Sequence, residues 1–446
     1  MTKGLVSAIL SRIKNGNEVL PGQQPEPLLN LKADDFCMIL CREVIGFSAY
    51  KGDFLMFFSL AVILLLGMLA GWVCRKLRLP ALLGMLLVGM LIGPYALDLI
   101  DASILNISAE LRKIALIIIL ARAGLSLNIE DLKRVGRPAI LMCFVPACFE
   151  IVGMVLLAPR LLGISVLEAA VMGAVVGAVS PAVIVPKMLH LMEEGWGVRK
   201  SIPQLILAGA SVDDVFVIVL FSAFTGLAQS GELSPAVFAT IPISIVLGIA
   251  AGLLFGAALG FLFAKVHIRD TVKLVFLLCL SFLMVAFEDA AWIPFSALIA
   301  VMCVGVALQK VRPEVSLRLS ARYAKLWVVA EVLLFVLVGA TVDLRYAAAA
   351  GGTAVALIFA VLAFRMLGVF CCLIKTKLKL KERLFCMIAY TPKATVQAAI
   401  GGIPLAMGLS CGNIVLTVAV LSILITAPLG AFCIDLTYRR LLSRAD

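Results

Sequence analysis

A chain of 446 residues that is 63% hydrophobic, with a mean hydropathy of +1.12, carries more apolar surface than a water-soluble domain can bury; a polytopic membrane protein requires it. The net charge of +11 does not point to nucleic acid, because the 38 Lys and Arg residues fall in short clusters between apolar segments, as in membrane loops. Two histidines, His190 and His267, leave no material for a His-rich metal site or a Ser/His/Asp triad, and no cofactor is expected. The 12 cysteines lack zinc-finger or CxxC spacing; Cys143, Cys148, Cys279, Cys303, Cys371, Cys372 and Cys386 sit in apolar runs and read as small buried hydrophobes.

Residues 1–53 mix charges and carry PGQQPEP at 21–27, so they read as an extramembrane tail, with 36–50 as an interfacial helix. Thirteen apolar segments follow, at about 54–74, 81–97, 111–129, 138–159, 165–189, 201–228, 235–264, 271–289, 292–309, 324–344, 350–374, 383–409 and 413–435, and then a short tail, 437–446. This is the pattern of an all-α polytopic membrane protein with about 13 transmembrane helices. Alternate connections collect the basic residues: Arg75, Lys76 and Arg78; Lys133, Arg134 and Arg137; Lys187, Arg199 and Lys200; Lys265, Arg269 and Lys273; Lys310 to Lys325; Lys375 to Arg383; and Arg439, Arg440 and Arg444. The other connections hold only Arg112, Lys113, Arg160 and Arg345. The positive-inside rule then places the C-terminus in the cytoplasm and the N-terminus outside, although the basic residues of the tail run against it.

The sixth segment contains the most expensive residues, Asp213 and Asp214, within LILAGASVDDVFVIVLFSAFTG. One ionised carboxylate at bilayer depth costs ~3 kcal/mol or more, so such groups face a cavity or a partner and mark ion or proton paths. Two neighbours desolvated together do not both ionise cheaply unless a cation takes the place of the proton, and such a site can exchange a metal cation for protons.

Two segments are broken. The fifth reads GAVVGAVSPAVIVPKM, with Ser180 before Pro181 and a further Pro186; the twelfth reads IAYTPKATVQAAIGGIP, with Thr391 before Pro392 and then Lys393. Proline frees a carbonyl, which in lipid is tolerated only where the backbone lines protein or a cavity. Segments seven apart cross the membrane in opposite senses, as in an inverted repeat of about 54–228 on 271–435 with 235–264 as linker. The same alignment sets Glu150 on the fourth segment against Arg365 on the eleventh, a candidate buried charge pair. Gly248, Gly252, Gly256 and Gly260 form a GxxxG face for helix packing, and Gly67 and Gly71 a second one, for packing or a dimer.

With these motifs in place, GAVVGAVSPAVIVPKML, GWGVRKSIPQLILAGASVDDVF, TPKATVQAAIGG and RAGLSL at 122–127 resemble the sodium/proton antiporters of the cation:proton antiporter superfamily, particularly the NHA-type branch, from about residue 55 to 436. The resemblance implies a thirteen-helix fold with a dimerisation domain and a mobile core, a homodimer, and a multi-pass protein of the bacterial inner membrane. It implies that Asp213 and Asp214 carry Na+ or Li+ and protons, and that Ser180, Pro181 and Thr391 to Lys393 form the helix crossing. Glu150 and Arg365 would form the core charge pair, with Lys393 neutralising helix ends. It also associates a lysine at the position of Arg365 with electrogenic exchange; this chain has arginine there.

Glu331 reads either as an acid supporting the site or as a buried residue with its own partner, Arg122 as a structural clamp, and Glu288 and Asp289 as solvated. An intramembrane aspartyl enzyme is the competing class, disfavoured because adjacent residues on one helix diverge by ~100° and do not share a water. Ion-coupled symport of an organic anion on a related fold is the nearer alternative.

Overall fold

The computed structural model describes residues 55–444 except 78, 127–134, 231–234, 267, 291–292 and 294. The interfacial helix expected at 36–50 lies outside the described residues. Each of the thirteen apolar segments coincides with a helix or with helix pieces. They are α1 (Leu55–Lys76), α2 (Ala81–Ile92), the short α3 (Ala102–Asn106), α4 (Ser108–Ser126), α5 (Arg137–Met142), α6 (Val145–Leu162), α7 (Val166–Val176), α8 (Pro181–Glu193) and α9 (Ile202–Ser230). Then come α10 (Pro235–Lys265), α11 (Asp270–Asp289), α12 (Ala297–Val311), α13 (Pro313–Ala340), α14 (Leu344–Cys372), α15 (Leu380–Ala389), α16 (Thr395–Ile400), α17 (Ile403–Ala406) and α18 (Gly412–Leu441). The described residues form no strand.

The boundaries follow from the local chemistry. Pro80 precedes α2, and Gly93 followed by Pro94 ends it, so only 12 residues of the second segment are helical, about 18 Å and short of a bilayer core. The ninth segment is likewise reduced to 15 helical residues in α12. The tenth is longer than its apolar run, because α13 starts at Pro313 and its charged first turns are helical too. Pro146 separates α5 from α6: it cannot donate to the Met142 carbonyl, which instead accepts from the Tyr390 hydroxyl at 3.0 Å.

The helices pack in two groups. In one, α2, α4, α12 and α13 pack closely, with α1 on α2, α11 on α12 and α13, and α10 on α12; in the other, α6 packs on α14 and α7, and α9 and α18 close around the helix breaks. The repeat is visible in the close approaches. Gly89 of α2 lies against Gly339 of α13, and Gly305 of α12 against Gly124 of α4, so the two crossings exchange places under the repeat. All four GxxxG glycines of α10 are used internally, against Ser296, Ala300, Val304 and Val311. Gly67 meets Val332 and Val336, and Gly71 meets Met85, so the second small-residue face is also packed within the chain. Among the cysteines, Cys143, Cys303, Cys372 and Cys386 are buried, whereas Cys279 is exposed on α11, against the expectation from its apolar run.

These crossings have no room for a methyl group. A Cβ at Gly305 would come within 2.6 Å of the Gly124 and Leu125 backbone, and one at Gly89 would strike the Val336 carbonyl. Gly305→Ala and Gly89→Ala are each expected to destabilise by about 1–3 kcal/mol. Gly226→Ala, on an open face of α9 with nothing within 4 Å, should be neutral or slightly stabilising. Melting of the purified protein in detergent separates them, and equal melting of all three would refute the close approaches.

Candidate functional site

The two breaks meet. Helix α7 ends at Val176 and α8 starts at Pro181; α15 ends at Ala389 and α16 starts at Thr395. The Ser180 N–H donates to the Pro392 carbonyl at 2.8 Å and joins the two interruptions directly. Each break is also held by the last helix of its own repeat. Val179 N–H donates to Asp213 Oδ2 at 2.8 Å, and at the repeat-related place Lys393 N–H donates to Thr426 Oγ1 at 3.0 Å. Gly430 on α18 faces Pro392 and Thr391, and Gly209 on α9 faces the Tyr390 ring, so both helices reach the crossing through residues without side chains.

A broken helix leaves unpaired carbonyls at its C-terminal end, where the helix dipole is negative. Here three cationic or amide side chains take them. Lys393 Nζ donates to Val176 O at 2.6 Å, Gln397 Nε2 to Ala178 O at 2.8 Å, and Arg365 Nη1 to Gly177 O. Arg365 Nε reaches the second break, donating to Tyr390 O at 2.8 Å.

The same cations tie the carboxylates together. Arg365, on α14, donates from Nη1 to Glu150 Oε2 at 2.9 Å and from Nη2 to Asp213 Oδ2 at 2.8 Å. Lys393 Nζ donates to Glu150 Oε2 at 2.8 Å and lies 2.6 Å from its Oε1. Glu150, Asp213 and Arg365 are fully buried and Lys393 almost so. One guanidinium therefore bridges two acids and both helix ends, which a single-point ammonium has no geometry to do. Asp214 is different: it is buried, yet neither Arg365 nor Lys393 donates to it. Asp213 Oδ1, Asp214 Oδ1, Ser180 Oγ, Thr395 Oγ1 and Gln397 Oε1 are buried oxygens with no hydrogen-bond partner. Unpaired buried oxygens are costly, and oxygen donors of this kind suit a hard cation. Among the described residues no group of three or more His, Cys, Asp or Glu side chains converges, so hydroxyl, amide or water oxygens would complete its shell.

A cavity of about 890 Å³ opens on the basic side, between α1, α2, α8, α13 and α18. Arg75, Lys187, His190 and Arg439 line it, Lys187 paired with Asp435, and Ala182 and Val183 at the start of α8 form part of its wall. Glu331 also lines this cavity rather than joining the crossing. Arg122 is half-buried on α4 and lies within electrostatic reach of Glu331, and Asp289 pairs with Lys113 at 2.9 Å across exposed surface. Sequence reasoning missed Tyr390, Gln397 and Thr426. Thr426 falls opposite Asp213 only when the helix ends at the two breaks, Val176 and Ala389, are matched; aligning Pro181 with Pro392 sets Leu424 there instead.

The family described as sodium/hydrogen exchanger, transmembrane, matches residues 61–437. The chain is 36% identical over 389 residues to Sodium/hydrogen exchanger 9B2 of Homo sapiens, over 82% of this chain and 71% of that one. It is 30% identical over 420 residues to Sodium/hydrogen exchanger 9B1 of the same species, over 90% and 81%. Among solved structures, the sodium proton antiporter MjNhaP1 of Methanocaldococcus jannaschii aligns with a TM-score of 0.75 at 20% identity, over 90% of this chain and 99% of that one, a likeness of fold.

Proposed function

Because the chain belongs to the sodium/hydrogen exchanger family, we propose that it exchanges Na+ or Li+ for protons by alternating access at Asp213 and Asp214. Members of the family are transporters, not enzymes. The observation that carries the site assignment is the contrast between the two aspartates. Asp213 is held by the Arg365 guanidinium and the Val179 N–H, whereas Asp214 has no fixed cation. Asp213 is the standing ligand, and Asp214 alternates between a proton and a metal cation.

Charge counting sets the stoichiometry. Glu150, Asp213 and an ionised Asp214 sum to three negative charges against Arg365 and Lys393, leaving one uncompensated in a buried site. A single proton or a single monovalent cation restores neutrality, and low effective dielectric penalises either departure from it. One proton per cation is the result, so exchange is electroneutral. Imposing a membrane potential on proteoliposomes with no pH gradient should drive no sodium movement through the protein; potential-driven uptake or release would overturn the one-for-one ratio.

The organic-anion symport reading loses ground on the same geometry, because Arg365 and Lys393, the buried cations at the crossing, are both engaged by Glu150 and Asp213. The cavity lined by Arg75, Lys187 and Arg439 is the cytoplasmic vestibule in this proposal, which puts the C-terminus inside by the positive-inside rule. Residues 54–228 and 271–435 are the two repeats, with 235–264 as linker, and the core built on α5–α9 and α14–α18 moves against the other helices. The protein is an integral, multi-pass membrane protein. The 9B relatives are animal proteins and lend no support to a bacterial inner membrane. Homodimerisation belongs to the same reading and is checked by the mass of the protein in nanodiscs. Cation-induced pH change in proteoliposomes, compared across Na+, Li+ and K+, tests the exchange itself; pH change that needs an organic anion would restore the symport reading.

A further inference from the structure

On the face opposite the basic loops, Arg112 of α4 is only 5% exposed. Its Nε donates to the Ser108 carbonyl at 3.1 Å, while Nη1 is buried with no partner. A buried guanidinium N–H without an acceptor is costly. Arg112 lines two adjoining cavities. The smaller, about 290 Å³, is bounded by Asn106, Ser108, Thr341 and Gly402, and Gly402 lies directly against the guanidinium. The larger, about 480 Å³, has an apolar wall from Ile114, Ile117, Phe282, Val285 and Ile403. Glu110 and the Lys113–Asp289 pair stand at this larger cavity, and neither acid bonds Arg112.

We propose that these cavities form one binding site for an amphipathic anion, its phosphate or carboxylate on Arg112 Nη1 and its tail along Ile117, Phe282, Val285 and Ile403. The polar pocket supplies an unspent donor and hydroxyls, and the adjoining wall supplies apolar surface, so neither a small inorganic anion nor a neutral lipid matches both halves. The site is distinct from the crossing and also bears on transport. Its walls come from α4 and α11 on one side and from α16 and α17, the continuation of the second broken helix, on the other. An occupant ties these elements together and slows their relative movement.

The test is thermal melting of the full chain in a neutral detergent, titrated with lysophosphatidylglycerol, lysophosphatidylcholine or inorganic phosphate. A saturable rise of a few degrees with lysophosphatidylglycerol is expected, with little from the other two. Arg112→Gln should weaken that response about tenfold or more, the value of one charge-assisted hydrogen bond. Phe282→Trp, which fills the apolar wall and keeps Arg112, should weaken it as well and serves where the Arg112 variant does not fold. An equal rise with inorganic phosphate or with lysophosphatidylcholine overturns the proposal, as does an undiminished lysophosphatidylglycerol response in either folded variant.

Discussion

Replacing both Asp213 and Asp214 by Asn is expected to abolish cation/proton exchange while leaving a folded protein. Asparagine keeps the size and hydrogen-bonding capacity of each side chain but neither binds a cation by charge nor releases a proton. The single variants should differ in kind. In Asp214→Asn, Glu150 and Asp213 balance Arg365 and Lys393, so the site is neutral with nothing bound and has no reason to take a cation. In Asp213→Asn, Asp214 restores that balance only when ionised, and a bound cation leaves an excess positive charge, so cation affinity falls. Arg365 Nη2 also loses its carboxylate at 2.8 Å. Dye-monitored acidification in sodium-loaded proteoliposomes reads the exchange, and melting in detergent reads the fold. Exchange retained in the double variant would remove the pair from the mechanism.

Much of this site is legible in the sequence because membranes make polar residues conspicuous. Asp213 and Asp214 stand out in an apolar run, and Pro181 and Pro392 mark the two interruptions by the donor each one lacks. The repeat sets Glu150 opposite Arg365, 215 residues away, and the two lie in contact. The bridging by Arg365 to Asp213 and by Lys393 to Glu150 is not legible. It depends on which side chain spans the gap once four helices converge, and spacing along the chain carries no such information. Hydropathy misplaces helix ends wherever it parts company with backbone preference. The residues after Gly93 are apolar but are turns, and the charged turns from Pro313 are polar but helical. Arg112 falls with the connections because it stands at the edge of an apolar run, yet it is more buried than Arg122, which lies mid-run. Charge in a sequence shows that a group needs a partner, and only packing shows where the partner is.

Removing Arg365 tests how far the crossing depends on one residue. Arg365→Ala strands Glu150 and Asp213 and frees the Gly177 and Tyr390 carbonyls at both helix breaks. Breaking a buried pair from one side costs ~3–5 kcal/mol, because the remaining charge stays desolvated. Lys393 still reaches Glu150, so part of the burden on that acid is relieved and Asp213 bears the larger share. Arg365→Lys keeps the charge but offers a single nitrogen where the guanidinium spans four acceptors, and it should fall between wild type and alanine. The decisive comparison is Arg365→Ala with and without Glu150→Gln. In the single variant the site carries one excess negative charge, and in the double variant it is neutral again, so the double variant should be less destabilised than the sum of its parts by ~1–3 kcal/mol. Thermal unfolding of the four proteins in one detergent gives that coupling. Strict additivity would mean that the two charges do not share a site, and the electroneutral balance built on Glu150, Asp213, Arg365 and Lys393 would fall with it.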